Sequence, residues 1–104
     1  MVKHIVLFKL KTFGSESEKQ AKMNEIKTQL ENLIRIIPEL KSIHVGLNIN
    51  PAEKWDVVLE TEFNTLEDLN LYANHPKHVE ISKNIIGPVK EDRACVDYTL
   101  PQQA

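Results

Sequence analysis

Four segments of this chain carry apolar residues at every second position, and two segments between them carry them at every third or fourth. A period that switches from 2 to 3.6 and back fixes strands and helices in a definite order, and few folds accept it. Val2 to Lys11 alternates, with Val2, His4, Val6, Phe8 and Leu10 on one face and Lys3, Ile5, Leu7 and Lys9 on the other. "TFGSESEK" then breaks the pattern, and Ser15 with Glu18 has the spacing of a helix capping box. Met23, Ile26, Leu30, Leu33 and Ile37 form one apolar stripe. Pro38 ends that helix, since its ring lacks an amide and clashes with the preceding turn.

"KSIHVGLNI" alternates again, "NPAEK" is a turn by composition, and "WDVVLETEF" is a third strand with Trp55, Val57, Leu59, Thr61 and Phe63 on one side. "NTLEDLNLYANHP" reads as a short capped helix broken at Pro76. Helix resumes from Lys77 to about Ile86, Gly87 and Pro88 stop it, and "RACVDYTL" is the last strand. The order β-α-β-β-α-β predicts an α+β, ferredoxin-like protomer. It is a single domain over residues 1–104, a four-stranded antiparallel sheet with helices on one face. The second sheet face is expected to carry Ile5, Leu7, Ile43, Val45, Leu47, Val58 and Val96 with nothing in the chain to cover them. A homodimer formed sheet to sheet is the simplest cover.

The formal net charge of −2 provides no basic field, so nucleic acid is not an expected partner. Cys95 is alone, which excludes a disulfide framework or a CxxC pair and suits a reducing compartment. The start "MVKHIVLFKL" is too interrupted by charge for a signal peptide, and no apolar run reaches membrane-spanning length. A cytoplasmic location, with no membrane partner, is the expectation.

The stretch "LYANHPKHVEI" concentrates Tyr72, His75 and His78 around one proline. A histidine titrates near neutral pH and can carry a proton; a tyrosine hydroxyl stays protonated and can donate to a developing enolate oxygen. Tyr72 and His78 can converge only if Pro76 bends the turn between them. The plainer readings stand beside this one. His4 reads as a core histidine, Tyr72 as the amphipathic end of a helix and His75 as a helix-start residue. His44 reads as surface, and Trp55 and Phe63 as core. Cys95 reads as an inert small hydrophobe on a central strand near the helices. His75 and His78 are separated by three with a proline between, so no side-chain metal site and no cofactor is expected.

The segments "VKHIVLFKLK", "IIPELKSIHVG", "YANHPKHVEI" and "VDYTL" together resemble the stress-responsive dimeric α/β-barrel family, in the same order over nearly the whole chain. The resemblance implies a ferredoxin-like protomer that dimerises into a barrel. In one plant branch, a cyclase that closes linear polyketides by aldol condensation, a tyrosine and a histidine form the catalytic pair, and these fall on Tyr72 and His78. A further pocket histidine falls on His4, and pocket-lining positions fall on Val6, Phe8, Leu59, Thr61 and Cys95. Arg93 stands where that branch has an apolar residue, which favours a polar or anionic ligand over a long alkyl tail. Some plant relatives hold magnesium through backbone carbonyls, which would here lie at Leu33–Pro38. Three functions stay open: a small-molecule-binding barrel, as an aldol-type cyclase or lyase; a non-catalytic dimeric stress protein; and a cofactor-free monooxygenase-like dimeric barrel.

Overall fold

The computed structural model describes residues 1–101. The chain runs β1 (Val2–Leu10), α1 (Glu16–Glu31), a tight turn Asn32–Arg35, β2 (Ser42–Leu47), β3 (Val57–Phe63), α2 (Leu66–Ala73), α3 (Pro76–Ile81) with a widened turn Ser82–Ile86, and β4 (Lys90–Thr99). The strands form one antiparallel sheet in the order β2-β3-β1-β4. This is the ferredoxin-like topology that the order of periods predicts.

The helix starts follow their caps. Ser15 Oγ accepts the Glu18 amide at 3.2 Å, and Thr65 Oγ1 accepts the Asp68 amide at 3.0 Å. The stripe Met23, Ile26, Leu30, Leu33 and Ile37 is buried throughout, against Val6, Phe8, Leu59 and Phe63 from the sheet. The regular helix stops at Glu31, before Pro38, and tightens over its last turn.

Cross-strand partners share a face, and the register corrects three expectations. Val45 opposes Leu59, and Leu59 opposes Val6, so all three point toward the helices. Val45 is 1% exposed, and Ile43 and Leu47 pack against the same core. These three do not belong to the open face. That face carries Ile5, Leu7, Val58, Ala94, Val96 and Tyr98. At its β2 end, Gly46 opposes Val58, and a Cβ there would stand 2.8 Å from a Val58 methyl.

Cys95 is not on a central strand. β4 is a sheet edge bonded only to β1, and Cys95 is exposed because the helices reach across β2, β3 and β1 but leave β4 largely uncovered. Trp55 lies ahead of β3 and is half-buried rather than core, with the Lys54 ammonium 4.7 Å from its ring centre. At the opposite edge, α1 grips β2. Lys27 Nζ donates to the Val45 carbonyl at 2.7 Å, Glu31 accepts the Val45 amide at 3.1 Å, and the two side chains pair at 2.8 Å. Burial alone would raise the Glu31 carboxyl, but the Lys27 and Val45 hydrogen bonds outweigh it and hold the group below its ordinary range. No helix among the described residues is long and apolar enough to cross a membrane.

Candidate functional site

The uncovered strand β4 leaves a gap between the sheet and the α2–α3 layer, and that gap is a cavity of about 390 Å³. Its floor comes from β1 and β3 through Val6, Phe8 and Leu59, and its wall from His4. The mouth is made by Arg93 and Cys95 of β4, and the roof by Tyr72 and His78. Eight of the nine residues singled out in the sequence line this one space. Thr61 does not: it is fully buried and its hydroxyl donates to the His4 carbonyl at 3.3 Å. A cleft of about 430 Å³ near Lys9 and Lys19 is bordered by solvated lysines and carboxylates without a tyrosine or histidine.

The roof depends on Pro76. Six steps along an unbroken helix at 100° each would set Tyr72 and His78 about 120° apart, on different faces. Instead α2 ends at Ala73 and α3 restarts at Pro76, the first helical position, where a missing amide costs nothing. His75 caps the restart, its Nδ1 accepting the Lys77 amide at 3.1 Å. Its role is therefore the helix start. The break brings the Tyr72 and His78 rings to 4.5 Å between centres.

Tyr72 is 1% exposed, packed on its other side against Phe63 at 5.1 Å, and its hydroxyl meets no hydrogen-bond partner among the described residues. A buried hydroxyl without a partner costs about 1–3 kcal/mol of desolvation, and such groups in folded proteins are few. Burial also pushes the phenol far above its ordinary range, so it is a donor at any working pH.

His78 Nδ1 lies 3.0 Å from the Ala73 carbonyl. A carbonyl only accepts, so Nδ1 carries the proton and Nε2 keeps the free lone pair. Desolvation lowers the His78 pKa; the Ala73 hydrogen bond opposes this, while the charges of His4, Arg93 and His75 add to it. The ring is neutral and basic at neutral pH. His4 is held differently, with Nδ1 against the Asp97 carboxylate.

Four polar lining residues escaped sequence reasoning: Asn70, Ser82, Lys90 and Asp97. Ser82 had a signal, four residues after His78 on the same helical face. Asp97 had one too, since it shares a strand face with Cys95. Asn70 and Lys90 had none.

Three comparisons bear on this geometry. A protein from Arabidopsis thaliana, the stress-response A/B barrel domain-containing protein DABB1, is 35% identical over 103 residues, covering 98% of this chain but 48% of its own length. The chain thus spans about half of that relative. Olivetolic acid cyclase from Cannabis sativa is 31% identical over 101 residues, covering 94% of this chain and 95% of the cyclase. A crystal structure of a dimeric protein of unknown function and ferredoxin-like fold from Bacteroides fragilis superposes with a TM-score of 0.89 at 47% identity, covering 95% of each chain. The stress responsive A/B barrel domain matches residues 2–100, and the chain belongs to that family.

Proposed function

We propose that this protein is a homodimeric barrel whose cavity takes a small polar or anionic carbonyl compound and catalyses proton transfer on it, in an aldol-type cyclisation or carbon–carbon cleavage. The observation that carries the reading is the unpartnered Tyr72 hydroxyl, fully buried beside a neutral His78 with a free Nε2. Packing alone gives no reason to keep that oxygen; a phenylalanine would fill the same volume. A ligand carbonyl would be its partner.

In this reading His78 Nε2 removes a proton from the carbon beside a ligand carbonyl, and the Tyr72 hydroxyl donates to the oxygen that gains charge. The enolate carbon attacks a second carbonyl of the same molecule, and the His78 imidazolium returns its proton to the resulting alkoxide. Arg93 and Lys90 at the mouth suit a carboxylate, and His4 orients the far end of the ligand. The cyclase relative, at 31% identity, supports the reaction class.

Support for the dimer comes from the open sheet face, where Val96 and Tyr98 are 56% and 46% exposed, and from the dimeric state of the Bacteroides fragilis protein. The test is turnover of a panel of β-keto acids, aromatic acids and short linear polyketide analogues. Tyr72→Phe and His78→Gln should each fold and lose turnover. A panel that neither binds nor reacts, with both variants strongly destabilised, would overturn the reading in favour of a non-catalytic stress protein.

A further inference from the structure

The wall of the cavity carries a second constellation. His4 and Asp97 are cross-strand partners in the β1–β4 ladder. Cys95, two positions before Asp97, projects from the same face because strand side chains alternate. An imidazole nitrogen, a thiol sulfur and a carboxylate oxygen are thereby brought together from positions more than ninety residues apart in the chain. His4 Nδ1 lies against Asp97 Oδ1, the Cys95 sulfur is 3.5 Å from that nitrogen, and it is 3.7 Å from that oxygen. No other three such side chains converge among the described residues.

A hydrogen bond accounts for the histidine–aspartate contact. The thiol is also within sulfur hydrogen-bond reach of both, but its one proton can serve only one of two groups that it faces almost equally. Tetrahedral coordination uses both contacts: metal–sulfur bonds of about 2.3 Å and metal–nitrogen or –oxygen bonds of about 2.0–2.1 Å set sulfur about 3.6 Å from its co-ligands. The two sulfur distances bracket that value. The nitrogen and oxygen would separate to about 3.3 Å, the ordinary change when a cation replaces a shared proton.

We propose that His4, Cys95 and Asp97 form a binding site for a divalent ion of the zinc class, with its fourth position open to the cavity. The donor set is borderline-soft, which excludes magnesium and calcium as preferred ions. Thiolate and carboxylate together cancel the charge of the ion, so the partly buried wall gains no net charge. The ladder holds all three donors on two hydrogen-bonded strands, which pre-organises them. All three also line the cavity of Tyr72 and His78, so the open position would take water or a ligand oxygen there. Binding must displace the thiol proton, and therefore strengthens with rising pH. The site stands whether or not Tyr72 and His78 are catalytic.

Cobalt(II) is the probe, added to metal-stripped full-length protein. The expected result is one equivalent bound per chain, with a thiolate-to-cobalt charge-transfer band and the visible bands of tetrahedral cobalt, both abolished by competing zinc. Cys95→Ser, on an exposed edge strand, should keep its melting temperature and lose the charge-transfer band. Its affinity should fall by more than the roughly 10- to 100-fold that loss of a supporting hydrogen-bond partner costs. Asp97→Asn should weaken binding while retaining the band, and Tyr72→Phe should leave cobalt affinity unchanged. Zinc should protect Cys95 from alkylation. An absent charge-transfer band at saturating cobalt overturns the proposal. So does cobalt affinity that is the same in Cys95→Ser, since the ion would then sit on surface histidines.

Discussion

The rings of Tyr72 and His78 lie 4.5 Å apart and 51° from coplanar, although five residues and a helix break separate them in the chain. That pairing places a donor and a base over one floor, and it sets the first prediction. Tyr72→Phe deletes an oxygen that has no partner among the described residues, so stability should hold or rise by about 1 kcal/mol. Turnover should fall by about 10²- to 10³-fold, the typical loss on removing one donor to a developing oxyanion. Thermal melts and single-turnover rates on the same variant check both halves.

His78 provides the pH dependence. Its folded pKa lies below its ordinary value, so the folded state resists protonation. Its contribution to stability is full above the unfolded-state pKa of about 6.5 and is lost as pH falls through the folded value. Turnover should follow the same limb, flat at neutral pH and falling with an inflection below about 6.5. His78→Gln should flatten that part of the stability profile. Denaturation midpoints between pH 5 and pH 8, compared for the two proteins, read this out; equal slopes would contradict it.

The two faces of the sheet give opposite responses to the same substitution. Leu7→Lys or Val58→Lys puts charge on the open face and should yield folded monomers by sedimentation velocity. Val45→Lys buries a charge in the core beside Leu59 and should cost more than about 3 kcal/mol, unfolding the protomer. A wild-type protein that sediments as a monomer would remove the dimer from the proposal.

Glu31 tests the grip of α1 on β2. Its depressed pKa gives stability that is present above the ordinary carboxylate pKa and lost as pH falls through the folded value. Glu31→Gln removes the charge assistance and should lower the melting temperature at pH 7 by a few degrees, since partly exposed pairs contribute roughly 1 kcal/mol or less. The gap between the variant and the parent should narrow as pH falls through the acid range.

Element order, both helix caps and the break at Pro76 were legible because each rests on local chemistry: period, side-chain reach and the missing proline amide. The face of β2 was not. "SIHVGL" has a clear period but no mark of phase, and only the Val45–Leu59 register decides which set meets the helices. The meeting of Tyr72 and His78 could be read from six residues, whereas that of His4 with Cys95 and Asp97 needed the β1–β4 register across the whole chain. Thr61 sat on the correct face yet too deep to reach the cavity, a matter of packing depth that alternation does not encode.

The grip of Lys27 and Glu31 on Val45 has a consequence for assembly. A strand arriving at the β2 edge would need the amide and carbonyl of Val45 as its middle rung, and both are taken by α1. The sheet therefore has one competent edge, at β4, and one closed edge. Head-to-tail growth by strand addition needs two open edges, so it has no route here, and assembly is left to the face of the sheet.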